Sequence, residues 1–309
     1  MNLKKPKFWD KQIGIVSILL LPLSLVFILL SFLKKKLTKQ FIFKIPIICI
    51  GNIYIGGTGK TPTCILLANE LFKLGRKPVI IRKFYKSHND EYGLIKRHFK
   101  NLILNKKRVK GLSEAENLGH DVAILDDGLQ DFSIKKNLNI VCFNSNQLIG
   151  NGLVLPSGPL RENLKTLINA DIVIINGKKN KVFEERICKI NKNLKIFYSY
   201  YVPDNLDKFK SDKYIALVGI GNPENFFQLI KENNIKIIKK IILPDHYKFS
   251  KNEFQKITDE ARENNCRIIL TEKDYYKIKD FDKDLVDCLK ISLMIENQKK
   301  LISLIEQKI

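Results

Sequence analysis

A glycine-rich segment near the start of the chain reads Gly51-Asn-Ile-Tyr-Ile-Gly-Gly-Thr-Gly-Lys-Thr-Pro62. An apolar run, residues 45–50, precedes it, and a stretch with helical spacing, Thr63–Leu74, follows it. Glycines let backbone N–H groups converge on an anion, and the N-terminus of a helix adds partial positive charge. The segment therefore predicts a phosphate-binding site where a strand passes into a helix.

The end of this segment fits the core of a P-loop. In that motif a Lys neutralises phosphate charge and a Thr hydroxyl binds Mg²⁺, which are the roles predicted for Lys60 and Thr61. The strict pattern fails, because Tyr54 stands where its first glycine is expected. An ordinary glycine-rich turn is the alternative, but the order of strand, glycines, Lys-Thr and helix favours nucleotide binding. The predicted nucleotide-binding residues are Gly56, Gly57, Thr58, Gly59, Lys60, Thr61 and Pro62.

Apolar runs that alternate with helical patterns recur along the whole chain. Such alternation is typical of a mainly parallel, doubly wound sheet, with ligands at the carboxyl ends of the strands. With 309 residues and 45% hydrophobic content, the chain is long enough for two domains. We therefore predict an α/β protein with a P-loop fold. The predicted strands are 45–50, 77–81, 121–125, 139–143, 171–176, 214–218, 237–243 and 267–270.

An apolar run without charged residues, Ile13–Leu33, lies between lysines, of which Lys34, Lys35 and Lys36 follow it directly. As a helix it would be about 31 Å long, which matches the hydrocarbon core of a bilayer. A single span and a helix lying in the interface both fit, and a buried core helix is the third alternative. We predict that residues 1–36 form a membrane-associated helix on an anionic membrane surface, with a cytoplasmic body.

The strongly basic composition does not point to nucleic acid. The net charge is +22, yet only 8 of the 54 basic residues are Arg, and no zinc-finger spacing or aromatic stacking motif occurs. We therefore expect no nucleic-acid partner. Six cysteines are scattered without a C-x-x-C pair, which is typical of reduced residues in a cytosolic fold.

Two carboxylates, Asp126 and Asp127, follow the apolar strand 121–125 directly. At such a position a carboxylate holds Mg²⁺ as a Walker-B residue does, together with a P-loop Thr. A tight turn with a helix cap is the alternative. The presence of Thr61 in the same chain favours the metal site.

A kinase with an alcohol acceptor gains from a carboxylate that accepts the hydroxyl proton, and Asp90 and Glu91 are candidates. Asp90 also fits a helix N-cap, and spacing alone leaves both roles open. His246 follows Pro-Asp at a strand end and would either pair with Asp90 or serve the structure. Arg161 and Glu162 would clamp a phosphate or form a surface pair.

Several motifs together resemble the tetraacyldisaccharide 4'-kinase family, in the same order along nearly the whole chain. These are Gly51-Asn with Gly56–Pro62, Leu125-Asp-Asp-Gly-Leu-Gln130, Pro159-Leu-Arg-Glu162, Leu243-Pro-Asp-His246 and Thr271-Glu-Lys-Asp274. The resemblance implies ATP- and Mg²⁺-dependent phosphorylation of the 4'-hydroxyl of a tetraacylated glucosamine disaccharide 1-phosphate in lipid A biosynthesis. It also implies two α/β/α domains with a short hinge, here 37–204 and 205–309, at the cytoplasmic face of the bacterial inner membrane.

The resemblance also implies residue roles. Lys60 would act on the phosphates, Thr61, Asp126 and Asp127 on the metal, and Asp90 as the base that His246 tunes; Arg82, Arg161 and Glu162 would bind substrate. The family pattern is altered at Lys83, Phe84, Tyr85, Asn89, Leu129 and Asp131, the last of which replaces a histidine. A membrane-tethered nucleotide switch or partitioning ATPase is the alternative function, and the Pro-Leu-Arg-Glu and Pro-Asp-His segments weigh against it.

Overall fold

The computed structural model describes residues 6–86, 88–209, 212–221, 223–244, 247, 249–278 and 281–309. The strands are β1 (Ile47–Gly51), β2 (Pro78–Lys83), β3 (Leu102–Asn105), β4 (Val122–Asp126), β5 (Leu138–Asn144), β6 (Ile172–Asn176), β7 (Lys195–Pro203), β8 (Lys213–Val218), β9 (Lys236–Ile242), β10 (Arg267–Thr271), β11 (Val286–Leu289) and β12 (Ile291–Ile295). The α-helices are α1 (Ile15–Leu19), α2 (Leu21–Leu37), α3 (Lys60–Lys73), α4 (Asn89–His98), α5 (Arg108–Asn117), α6 (Lys181–Cys188), α7 (Pro223–Glu232), α8 (Lys251–Glu263), α9 (Glu272–Lys277) and α10 (Gln298–Glu306). Short 3₁₀ helices cover Lys7–Asp10, Leu164–Asn169 and Leu206–Phe209.

The larger sheet has the strand order β12-β7-β6-β5-β1-β4-β2-β3. The strand pairs from β3 to β7 are parallel, which confirms the predicted doubly wound α/β fold. In this register Ile50 of β1 and Arg82 of β2 both lie beside Asp126 of β4. The carboxyl ends of β1, β4 and β2 therefore lie side by side, next to residues that were predicted to belong to the site.

The centre of this sheet is apolar on both faces. All five residues of β1, β4 and β6 are buried, as the continuous Ile, Val and Leu runs of parallel strands require. Helix α3 begins directly after the glycine-rich loop and buries Cys64, Leu67 and Leu71. Strand β1 and helix α3 are thereby fixed by core packing, and the loop between them has two rigid ends.

The smaller sheet has the order β11-β10-β8-β9, and its strand pairs are parallel. It belongs to a compact unit that contains Tyr85–His98 and Tyr201–Leu293, whereas Phe99–Tyr200 and Met294–Ile309 belong to the unit of the larger sheet. This grouping differs from the predicted domain boundary at residue 205. Helix α4 precedes that boundary but packs against α9, and α10 follows it but packs against α3.

The contact between α4 and α9 depends on a glycine. A Cβ atom on Gly93 would lie 2.2 Å from the Tyr276 ring, so any other residue would require that ring to move. At the end of α4, His98 Nε2 lies 3.2 Å from Glu272 Oε1. Helix α4 thus joins the smaller sheet's unit, although its sequence lies between two strands of the larger sheet.

The N-terminal helices α1 and α2 turn their polar residues towards the protein. Ser17 and Ser24 are 0% and 2% exposed, whereas Leu25 and Leu29 of α2 are 65% and 56% exposed. The Ser24 hydroxyl donates a hydrogen bond to the Val154 carbonyl oxygen at 2.9 Å. The predicted alternative of a buried core helix is wrong, since the aliphatic side chains of the run lie outside. None of the helices in the described ranges has the length and apolar character needed to cross a bilayer.

A short connection joins α2 to β1. Phe41 donates its backbone N–H to the Ser133 carbonyl oxygen at 2.8 Å and accepts from the Lys135 N–H at 3.0 Å. The Lys35 ammonium of α2 lies 5.7 Å from the centre of the Phe132 ring. The end of α2 and the connection are therefore both in contact with residues 132–135.

Candidate functional site

The glycine-rich loop folds around the buried side chain of Asn52. Its Nδ2 atom donates hydrogen bonds to the Gly56 carbonyl oxygen at 3.2 Å and to the Thr58 hydroxyl at 3.1 Å. Gly59 has a φ of +89°, in the left-handed region that favours glycine, and precedes the first helical residue, Lys60. The first turn of a helix has backbone N–H groups without intrahelical partners, so the geometry of this junction suits an anion.

Tyr54, which breaks the strict P-loop pattern, belongs to the core. Its side chain is 1% exposed within the apolar cluster that includes Ile53 and Phe143. Its hydroxyl donates a hydrogen bond to Asp10 at 3.0 Å. The loop therefore has a packed aromatic anchor where the strict pattern has a glycine, and the half predicted to bind phosphate, residues 56–61, keeps the expected glycines.

The side-chain oxygens of Thr61 and Asp126 lie together at the end of the loop. The Thr61 hydroxyl donates to Asp126 Oδ2 at 3.0 Å, and Asp126 Oδ1 is buried without a hydrogen-bond partner among the described residues. A buried carboxylate oxygen without a partner is costly unless a ligand satisfies it. In the described part of the chain no three His, Cys, Asp or Glu side chains group together as a metal site. Mg²⁺ prefers hard oxygen ligands and keeps several of its waters, so it needs few ligands from the protein. The oxygens of Thr61 and Asp126 suit this ion.

Two arginines hold the two aspartates. Arg82 forms a buried ion pair with Asp126 and donates to the Thr61 hydroxyl at 3.1 Å. Arg161 donates from Nη1 to both carboxylate oxygens of Asp127, at 3.0 and 3.1 Å. Arg82 belongs to β2 and Arg161 to a loop, so two separate parts of the chain fix the positions of the carboxylates.

Asp127 also contacts the P-loop lysine. The Lys60 ammonium lies 3.7 Å from Asp127 Oδ1. Burial would raise the pKa of Asp127, but the charges of Lys60 and Arg161 outweigh burial and lower its pKa to about 2. Asp127 is therefore ionised at neutral pH, and it holds the ammonium at the start of α3.

Glu162 lies beside the same loop. Gln130 Nε2 donates to Glu162 Oε1 at 2.8 Å and to the Asn52 carbonyl oxygen at 3.0 Å. Burial raises the pKa of Glu162, an effect that the Gln130 hydrogen bond and nearby lysines only partly offset. Backbone hydrogen bonds from Arg161 to Ile53 and from Ile55 to Pro159 join this segment to the glycine-rich loop.

A second polar cluster lies in the unit of the smaller sheet, at the start of α4. Asp90 is 6% exposed, and its Oδ2 lies 3.7 Å from the Lys273 ammonium and 4.0 Å from that of Lys277. Lys273 also lies 3.1 Å from Glu91 Oε1. Since α4 begins at Asn89, Asp90 lies inside the helix and is not its N-cap. The structure thus removes the capping alternative for Asp90.

The two lysines are held by α9 and its surroundings. Lys277 donates to the Gly219 carbonyl oxygen and to Asp274 Oδ1, both at 2.8 Å. Asp274 is fully buried and accepts from the Gly219 N–H at 3.0 Å and the Thr271 hydroxyl at 2.7 Å. This network fixes Lys277, and with it one of the positive charges near Asp90.

The chain is similar to known proteins over nearly its whole length. Residues 16–309 match the family described as tetraacyldisaccharide-1-P 4'-kinase. The chain is 44% identical over 305 residues to a tetraacyldisaccharide 4'-kinase of Pelagibacter ubique, with 97% of this chain and 96% of that protein covered. It is 35% identical over 317 residues to the Rickettsia canadensis enzyme of the same name, with 96% and 95% covered. The crystal structure of LpxK from Aquifex aeolicus in complex with ATP is similar with a TM-score of 0.72 and 25% identity, covering 95% of this chain and 99% of that one.

The chain belongs to the tetraacyldisaccharide 4'-kinase family. Membership confirms the resemblance inferred from the five motifs. The chain is an ATP-dependent kinase that phosphorylates the 4'-hydroxyl of a tetraacylated disaccharide 1-phosphate in lipid A biosynthesis. The alternative of a nucleotide switch or partitioning ATPase is not favoured.

Within the larger sheet's unit, the kinase brings together most of the predicted site residues. These are Lys60, Thr61, Arg82, Asp126, Asp127, Arg161 and Glu162. Asp90 lies in the other unit, and His246 lies outside the described residues. The roles of all these residues stay predictions, including substrate binding by Arg82, Arg161 and Glu162.

Four further residues of the kinase were not assigned a role from the sequence. Gln130 lies in the motif Leu125–Gln130 and Lys273 in the motif Thr271–Asp274, so these motifs were the sequence signal that could have identified them. Lys277 is one helical turn beyond Lys273, on the same face of α9. Arg108 has no neighbouring motif, and only the structure shows that its Nη2 donates to the backbone of Asp127 at 2.6 Å.

Proposed function

We propose that the kinase binds the phosphates of ATP on residues 56–61 and that Lys60 neutralises charge on the phosphoryl group during transfer. Thr61 and Asp126 would hold Mg²⁺, which would supply further charge neutralisation when bound. The observation that carries this proposal is the buried Asp126 Oδ1, which has no hydrogen-bond partner in the described chain, on a carboxylate whose Oδ2 accepts from the Thr61 hydroxyl. Electrostatic stabilisation of the transferring phosphoryl group is the main catalytic effect in such reactions.

Asp90 serves as the general base in this proposal. Its carboxylate accepts the proton of the sugar 4'-hydroxyl as the hydroxyl oxygen bonds to the γ-phosphorus and ADP leaves. The ammonium groups of Lys273 and Lys277 support this role, because they hold the carboxylate in one position in a largely buried site. His246 keeps the tuning role that the family pattern implies for it.

The two arginines act on the aspartates in this proposal. Arg82 and Arg161 each contact one of the two carboxylates in the structure. A guanidinium group fixes a carboxylate with direction as well as charge. Arg82 and Arg161 thereby orient the groups that act on nucleotide and metal.

The decisive experiment follows a labelled phosphate. Purified kinase is incubated with γ-labelled ATP and a tetraacyldisaccharide 1-phosphate, and the lipid is separated from nucleotide. We expect a labelled lipid with a second phosphate. The matched control is the same lipid with a phosphate already at the 4' position, which offers no acceptor hydroxyl. Equal labelling of the two lipids would contradict transfer to the 4'-hydroxyl.

We also propose that α1 and α2 dock the kinase on the cytoplasmic face of the bacterial inner membrane, on anionic lipid. The exposed aliphatic face supports this, since large exposed apolar patches on soluble surfaces mark interaction sites. Lys34, Lys35 and Lys36 in the last turn of α2 supply positive charge next to that face. Apolar burial combined with basic residues is how interfacial helices bind anionic membranes.

A charge placed on the exposed face of α2 tests this docking. We expect the double variant Leu25→Glu, Leu29→Glu to bind vesicles containing anionic lipid at least about 10-fold more weakly, because burying each leucine contributes roughly 1.5–3 kcal/mol. The measurement is co-sedimentation with vesicles. Val182→Glu is the control, since Val182 is 79% exposed on α6. Unchanged vesicle binding by the double variant would refute the docking role of this face.

A further inference from the structure

The turn that carries the two aspartates has an unusual backbone. Asp127 has a φ of +58°, in the left-handed region that residues other than glycine rarely adopt. The Asp127 N–H donates to the Ile50 carbonyl oxygen of β1 at 2.9 Å, which fixes only one side of the turn. Besides the contacts with Arg82 and Arg161, the direction of the two carboxylates depends on what holds the other side of this turn.

Arg108, at the start of α5, holds that other side. Its Nη2 donates to the Asp127 carbonyl oxygen at 2.6 Å and lies within hydrogen-bond distance, 3.3 Å, of the Asp126 carbonyl oxygen. The side chain is only 10% exposed. One guanidinium nitrogen therefore binds two successive backbone carbonyls of the left-handed turn.

Asp131 holds Arg108 in turn. Asp131 Oδ2 accepts from Arg108 Nη1 at 3.3 Å, and its Oδ1 accepts from the Ser133 hydroxyl at 2.5 Å and the Ser133 N–H at 3.3 Å. Burial would raise the pKa of Asp131, but hydrogen bonds from Ser133 and the charge of Arg108 outweigh it and lower its pKa. Asp131 thereby holds Arg108 against the turn.

We propose that Asp131 is a positioning residue for nucleotide and metal binding. Through Arg108 it keeps the carbonyls of Asp126 and Asp127 in the left-handed turn, and so directs their carboxylates to Thr61 and Lys60. This inference rests on the proposed role of Asp126 and Thr61 in holding Mg²⁺. A residue that only stabilised the fold would contribute to stability without affecting Mg²⁺-dependent binding.

The test measures ADP affinity by calorimetry with and without Mg²⁺ for the full chain. For Asp131→Asn we expect at least about a 10-fold loss of affinity for ADP with Mg²⁺, as is usual when a residue that supports metal ligands is changed. We expect less than a twofold loss without Mg²⁺. In kinase assays the KM for MgATP rises while the KM for the lipid stays constant. Equal losses with and without Mg²⁺ would overturn the proposal, and so would no loss at all.

Asp121→Asn is the matched control. Asp121 forms an ion pair with Arg76 at 3.2 Å and accepts from the Lys77 N–H, so it has the same kinds of contact away from the turn. We expect its Mg²⁺-dependent affinity to remain that of the wild type. Because calorimetry does not require lipid phosphorylation, failure of this inference is distinguishable from failure of the proposed function.

Ser133→Ala keeps the test decisive if Asp131→Asn does not fold, and a double variant tests whether Asp131 acts through Arg108. Ser133→Ala removes one hydroxyl from Asp131, and we expect a loss in the same direction of about two- to threefold. In an Arg108→Gln background, Asp131→Asn should add less than a twofold loss, because Asp131 acts through Arg108. Fully additive losses would show that Asp131 acts by another route.

Discussion

Replacing Lys60 with methionine is expected to lower kcat for lipid phosphorylation by about 100-fold or more, because removal of one group that stabilises transition-state charge costs about 10²- to 10³-fold. Methionine keeps the length and the apolar part of the side chain. Asp127 loses an ammonium at 3.7 Å but keeps its contacts with Arg161, so the fold should survive. The measurement is steady-state transfer of labelled phosphate at saturating ATP and lipid.

Lys73→Met is the matched control for this variant. Lys73 lies on the same helix, α3, and forms an ion pair with Glu70 while 70% of its side chain is exposed. An exposed pair of this kind contributes about 0–1 kcal/mol to stability, so kcat and thermal stability should both stay close to the wild type. If Lys60→Met kept more than about a third of wild-type kcat, Lys60 would have no part in stabilising the transferred group.

The second large effect is expected for Asp90→Asn. An amide has the shape of the carboxylate but does not accept the substrate proton, and loss of a general base typically costs about 10²- to 10⁴-fold in rate. We expect kcat to fall within that range while the affinity for ADP, measured by calorimetry, stays unchanged. Activity near the wild-type level would remove Asp90 from the role of base.

Glu91→Gln separates the base from the ion pair. Glu91 contacts the same Lys273 ammonium at 3.1 Å and lies next to Asp90 in α4, so its variant also removes a carboxylate from that lysine. We expect less than about a fivefold loss of kcat for Glu91→Gln. Breaking a buried pair is destabilising by up to about 3–5 kcal/mol, so activities should be compared per folded molecule, with thermal unfolding recorded for both variants.

The fold was largely predictable because the central strands are apolar runs with polar ends. The predicted strand 121–125 corresponds to β4 (Val122–Asp126), and Ser250 and Glu253 form a capping box at the start of α8. Among the strands missing from the prediction are the short strands β3, β11 and β12. Each has only four or five residues, and β3 is mostly half-buried at the sheet edge, so none gives a strong hydrophobic pattern.

The site was predictable where its residues lie in one local motif. The loop, Lys60 and Thr61 are contiguous, and the parallel register brings Asp126 next to them. The partners of Asp90 were not predictable, because Lys273 and Lys277 are far away in sequence and meet α4 only through helix packing. Arg108 is a further example, since its contacts with carbonyl oxygens leave no trace in residue type.

The hydrogen bonds of Phe41 have a consequence for the height of the reaction above a bilayer. Phe41 joins the residues after α2 to Ser133 and Lys135, so α2 is not a flexible tether. With the exposed face of α2 in the interface, the aspartate turn would stand at a fixed distance from the lipid surface. The bound enzyme would then set how far above the lipid surface the phosphoryl transfer takes place. Only a hydroxyl that a lipid presents at that height would be phosphorylated, while its acyl chains stay in the membrane.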